Sequence, residues 1–194
     1  MTDERAQARE HNDATVIRGS GLAEQAEAHG TYEVECYDKD GKFKWRDTIE
    51  NVVATVGKNL ALDTFLAGSA YTVVGPYMGL ISSTSYTAVA AGDTMSSHSG
   101  WLEAGGANTP TYTGNRKTCA WSAASAGGKA LSTALSYAIT GTGTVKGAFL
   151  VFGIGAVNTK DDTNGTLWSA GTFTTGDKAV LNGDTLNVNY STSL

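Results

Sequence analysis

Thr31–Val56, "TYEVECYDKDGKFKWRDTIENVVATV", decides the fold class. Its apolar residues recur every second position, the period of a β-strand with one buried face. Tyr32, Val34 and Cys36 share one face of the first run, and Phe43 and Trp45 share one face of the second. Asp40-Gly41 stands between the runs, a dipeptide favoured in tight hairpin turns. The reading is a leading β-hairpin over 31–56 with charged residues outside. Val52 to Val56 is expected to continue the second strand after a bend.

The period changes in "GKNLALDTFLAGSA". Leu60, Leu62, Phe65 and Leu66 are spaced as on one helical face, and Gly68 suits a helix C-cap. A short helix from Lys58 to Ala67 is expected. "YTVVGPYMGLISS" then reads as a strand kinked near Gly75-Pro76. "AAGDTMSSHSGW" reads as a loop with one helical turn capped by Asp93, leading to a short strand at Trp101. Five strand-like runs follow: "TCAWSAA", "ALSTALSYAIT", "TVKGAFLVFGI", "GTLWSAGTF" and "DTLNVNYSTS". The clusters "SAGGK", "GTGT", "DDTNG" and "NGD" separate them as turns. Short strands punctuated this way predict an all-β, sandwich or jelly-roll-like (Greek-key) domain with one short helix. Gly-Asp-Thr and Trp-Ser-Ala each occur twice but at no fixed period, so no repeat architecture is expected.

Charge divides the chain differently. Residues 1–63 hold 21 of the 33 Asp, Glu, Lys and Arg in a protein of 194 residues. The first thirty residues contain only four sizeable apolar side chains: Met1, Val16, Ile17 and Leu22. Such a segment buries too little to offset the entropy of ordering it. The expected organisation is an extended N-terminal arm over 1–30 and a β-sandwich domain over 31–194. The arm is expected to be ordered by a partner. Val16, Ile17 and Leu22 are its anchors, and "ATVI" has the β-branching to add to a sheet edge. Arg5, Arg9 and Arg18 are the only basic residues before Lys39 and suit carboxylates on that partner.

The net charge of −5, without a basic cluster, argues against nucleic acid as a partner. The longest apolar run, "AFLVFGIGAV", is too short for a helix that spans a bilayer, and the N-terminus lacks a secretory signal pattern. No membrane partner is expected, and synthesis in a cytoplasm is. Cys36 and Cys119 are read as reduced, buried thiols.

No catalytic constellation emerges, and an enzyme is not expected. His11, His29 and His98 lack ligand spacing, so neither a metal nor another cofactor is expected. "SSHSG" around His98 lacks the strained Gly-x-Ser-x-Gly turn. "DKDG" and "KDDTNG" resemble fragments of calcium loops without the closing acid, and read as turns. "GTGTVKG" precedes a strand rather than a helix, which excludes a phosphate cradle. Asp161 and Asp162 are adjacent and would point to opposite faces of a strand. The aromatics are read as core or interface residues; the alternative is an exposed platform that takes glycans, with Trp101, Tyr112, Trp121 and Trp168 as its candidates.

From about Thr31 onward, the order of segments resembles small virion proteins of tailed bacteriophages. The segments are the charged hairpin, "GKNLALDTFLAGSAYT", "PYMGLIS", "AAGDTMSSHSGWLEAG", "GAFLVFG" and the terminal "GDTLNVNYSTSL". The chain is similar to capsid decoration (cement) proteins of short-tailed phages. That resemblance implies a place on the capsid surface of a virion assembled in a bacterial host. The implied partners are the major capsid protein and further copies of the chain, as a dimer or trimer. The alternative is a tail-fibre or receptor-binding module that recognises a host surface glycan.

Overall fold

The computed structural model describes residues 28–66 and 74–193. The arm residues Arg5, Arg9, Val16, Ile17, Arg18 and Leu22 lie outside the described residues.

The hairpin forms where the alternation demands it. β1 (His29–Tyr37) pairs antiparallel with β2 (Phe43–Val53), and β1 starts two residues before Thr31. Tyr32, Val34 and Cys36 are buried, as their alternation requires. The turn is longer than a two-residue connection. Asp38 Oδ1 accepts the backbone N–H groups of Asp40 and Lys42, each at 2.9 Å, and Gly41 supplies a φ of 78°. On β2 the inward face is Trp45, Asp47, Ile49 and Val53; Phe43, at the strand's start, is 52 % exposed.

Beyond Val53 the chain does not continue as a strand. α1 (Thr55–Leu66) begins there, three residues before the expected Lys58. The reason is local. Ala54 donates to Trp168 O at 2.9 Å, and Ala54 O then accepts Gly57 N and Lys58 N to open the helix. Gly57 is what lets this turn seat: a Cβ there would lie 2.9 Å from Trp168 O. The helix is fixed by its first turn, while Leu62 is 56 % exposed, so the expected apolar face is not fully used. Gly68, the expected C-cap, lies outside the described residues.

The remaining elements are β3 (Tyr77–Ser82), β4 (Leu102–Glu103), β5 (Thr111–Tyr112), β6 (Lys117–Thr118), β7 (Gly128–Ala130) and β8 (Leu135–Gly141). They are followed by β9 (Gly143–Phe152), β10 (Thr166–Phe173), β11 (Lys178–Val180) and β12 (Thr185–Ser193). "TCAWSAA" yields only β6 and an isolated bridge at Trp121, and "ALSTALSYAIT" is divided between β7 and β8. The strand expected at Trp101 starts one residue later. No helical turn forms in the preceding loop. Asp93 Oδ2 instead accepts Ala90 N and Trp101 Nε1, at 2.9 and 3.0 Å, and ties the loop to the indole.

One antiparallel sheet runs in the order β4-β3-β9-β10-β2-β1-β12-β8-β5. It curls until its two ends approach, giving an all-β, sandwich-like domain. The core lies inside the curl. Tyr32, Val34, Ile49, Val188 and Tyr190 pack there against Met78, Leu80, Leu150 and Tyr137. Tyr137 OH donates to Met78 O across the interior at 2.9 Å, and Tyr32 OH shares a 2.7 Å hydrogen bond with Ser169 Oγ. A second core covers the opposite face of β3, β9 and β10. Trp101, Met95 and Ala54 seal Phe149, Val151, Leu167 and Ala170 there.

Candidate functional surfaces

Charged side chains in a mostly Gly/Ala/Ser/Thr domain are the natural place to seek chemistry. The structure brings several together in three buried clusters, each spent on holding loops.

The first cluster sits where the sheet's two ends meet. β4 and β5 are joined by the short connection 104–110, in which Ala104 N donates to Leu80 O of β3 and Gly105 N to Asn108 O. Beneath it, Arg116 and Glu103 form a two-pronged ion pair, with Nε–Oε1 at 3.0 Å and Nη2–Oε2 at 2.7 Å. Their side chains are 0 % and 4 % exposed. The remaining guanidinium donors reach Val157 O at 3.3 Å and Asp162 O at 2.6 Å. Asp161 N donates back to Glu103 Oε2, and Asp161 Oδ2 accepts Ala107 N, both at 2.8 Å. Lys160 donates to Gly105 O and Tyr112 O and lies 4.1 Å from the centre of the Tyr112 ring. Burial pushes its ammonium pKa below the usual lysine value. Asp162 is occupied by Asn164 N at 2.8 Å. The "KDDTNG" segment is therefore a strap over the seam.

The second cluster surrounds Asp47, an acid at an inward position of β2. Its carboxylate accepts Thr48 N, Thr174 Oγ1, Thr175 N, Thr175 Oγ1 and Lys178 Nζ, the last at 2.8 Å. Burial opposes ionisation, but bonds from Lys178, Thr175, Thr48 and Thr174 outweigh it and hold the carboxyl well below the ordinary range. This ties β2 to the turn between β10 and β11. The third cluster joins Asp184 to Lys44 and to Leu181 N, with the Cys36 thiol 3.8 Å from Asp184 Oδ2. Burial and that carboxylate push the Cys36 thiol up to about 12; burial alone does so for Cys119. Both cysteines are buried, and neither is in a disulfide. Surface pairs such as Lys39–Asp40 and Lys146–Asp177 add little.

The histidines and aromatics are placed differently from a binding platform. His98 stacks on Trp101 at 3.8 Å between ring centres, and its Nδ1 is 3.0 Å from Trp101 O. Trp101 and Tyr112 are core residues, 0 % and 3 % exposed, so neither presents a face to a glycan. Trp121 and Trp168 are partly buried against the core, and Trp168 Nε1 donates to Tyr190 OH at 3.0 Å. His11 lies outside the described residues. Among those described, no three His, Cys, Asp or Glu converge to hold a metal ion, and no helix is long and apolar enough to cross a membrane.

Among the described residues, an open groove of about 430 Å³ lies at the start of β1. His29–Thr31 form one lip, Ser191–Ser193 of β12 the floor, and Ser122, Ala123 and β7 the far wall. It runs into a second hollow of about 270 Å³ that shares Thr31, Ala130 and Ser191 and adds Glu33. Sequence reasoning missed this groove because small residues from three distant segments build it. It also missed Arg116, in the loop before β6, and Glu103, in a strand of two residues; Asp47 was readable as an acid in an inward register.

No protein-family model, curated protein or solved structure matches this chain.

Proposed function

We propose that this protein is a virion structural protein, a capsid decoration (cement) protein that binds the assembled phage head and bridges neighbouring major capsid subunits. What carries the reading is the ordered set of segments from Thr31 onward that resembles such proteins, lying on one curled β-sheet domain. The domain's strand ends are joined by its own loops, and its buried charges are engaged within it. The N-terminal arm supplies the docking element, with Val16, Ile17 and Leu22 as anchors and Arg5, Arg9 and Arg18 as partners for carboxylates on the neighbour. A ligand that binds only the assembled shell stabilises it by RT ln(1 + [L]/Kd) per site, and many equivalent contacts add through multivalency. No catalysis enters this role.

The test is the copy number of the chain on purified virions that carry it, measured by quantitative mass spectrometry. Hundreds of copies support the shell; about six to eighteen, the multiplicity of tail parts, would replace this reading with the tail-fibre one. A deletion of residues 1–28 should keep a cooperative melt while losing shell occupancy.

A further inference from the structure

We infer that the groove beside His29 is the receptor for the N-terminal arm of a second copy of this chain, so that copies associate by exchanging arms. The inference rests on the docking role proposed for the arm and names the surface and the partner.

Three observations converge. The first is where the undescribed chain ends. Residues 1–27 join the domain at Ala28, and His29, Gly30 and Thr31 form the groove's own lip. The arm root of one copy and the receptor groove are therefore at the same end of the domain. Packing such ends together sets one copy's groove beside the next copy's arm.

The second is length. Val16 and Ile17 are the arm's β-branched anchors, and eleven residues lie between Ile17 and His29. Extended, those residues span roughly 40 Å. A domain of this size is itself about 40 Å across. A tether that long spans the distance to the groove of an adjacent molecule.

The third is complementarity. Gly128, Ala123 and Ala130 keep the groove's wall low enough for a branched aliphatic side chain, and the two hollows adjoin through Thr31, Ala130 and Ser191. Glu33 stands in the second hollow, opposite Asn189, and makes no ion pair within 4 Å among the described residues. On an extended arm Val16 and Arg18 share one face, so an arm seated by Val16 carries the Arg18 guanidinium toward that carboxylate. Strand addition is not the mode here. The outer edge of β7 is already taken, because Ser122 N donates to Ala130 O and Ser125 exchanges bonds with Gly128. The anchors enter as side chains.

Reciprocal exchange, each arm in the other copy's groove, closes as a two-fold dimer; arms passed one way round close as a ring such as a trimer.

The experiment uses the full chain with one cysteine added per copy. V16C and isotope-labelled A123C proteins are mixed, oxidised mildly and digested. Mass spectrometry then seeks the disulfide between the two peptides. The native thiols are buried and pushed to about 12, so they stay silent. The expected result is a mixed-isotope V16C–A123C dimer, with none from V16C paired with D40C at the hairpin tip. In the V16C/A123C double variant, a faster-migrating monomer with an internal disulfide would overturn exchange, because the arm would be seated in its own groove. Failure of both cross-links would also overturn it. Shell occupancy is read separately: normal loss of occupancy on V16D/I17D without any cross-link leaves the decoration role standing and removes the groove as receptor. A cross-link with no shell binding does the reverse.

Discussion

Replacing Arg116 with Met tests whether the seam of the sheet is held by its ion pair. The guanidinium is fully buried, and the Glu103 carboxylate beneath it is 4 % exposed. Removing the cation leaves that carboxylate with one backbone donor, Asp161 N at 2.8 Å. It also releases the bonds to Val157 O and Asp162 O. Breaking one side of a buried pair costs about 3–5 kcal/mol. For a chain of this size that lowers Tm by roughly 6–20 °C. Restoring neutrality with E103Q in the same chain should recover most of this, leaving about 1–2 kcal/mol for the two lost carbonyl bonds. Calorimetry gives the melts. Hydrogen exchange read on a peptide covering 155–166 gives the location, because the strap should exchange faster in R116M while β1 and β12 stay protected. The reasoning is refuted if R116M melts within about 1 kcal/mol of the parent, if the double variant is as unstable as the single one, or if the strap's exchange is unchanged.

Two further outcomes are expected. Asp47 has a folded pKa below its unfolded one, so its contribution is complete above the unfolded value near 4 and is lost as pH falls toward the folded value. Urea melts from pH 6 to pH 2 should therefore show a steeper loss for the parent than for D47N; parallel slopes would count against the assignment. Cys36 and Cys119 should ignore a thiol reagent at pH 8 in the folded protein and both react in denaturant, since burial holds each thiol at about 12; rapid native labelling of either would contradict that burial.

The long strands were legible because their side chains alternate between a wet and a dry face. Tyr32–Val34–Cys36 and Leu186–Val188–Tyr190 announce their inward faces without help from the rest of the chain. The short pieces were not. β4, β5 and β6 have two residues each, too few for any period, and they exist because the seam and β3 offer them partners. The early start of α1 was hidden for a related reason. Thr55 and Val56 favour strands by themselves, and the helix begins there only because Trp168 O holds Ala54. The candidate surface was the least legible. Arg116 and Glu103 meet across a loop, and the groove is formed by segments that carry no periodic signal. The aromatic residues were legible as core candidates, and Trp101 and Tyr112 are buried, because a large ring contributes most where it is fully desolvated.

The pairing of β1 with β12 has a mechanical meaning. Every residue from His29 to Tyr37 has a partner on β12, and His29 stands opposite Ser193. Tension drawn between residue 28 and residue 193 would open these rungs one after another, as a zip opens from its tab. Tension drawn along the arm against a domain held elsewhere acts lengthwise on β1, which is clasped by β12 on one side and β2 on the other. The rungs then share the load and must fail together. The same strand is thus weak to peeling and strong to an axial pull, and an arm rooted at its first residue delivers the axial kind.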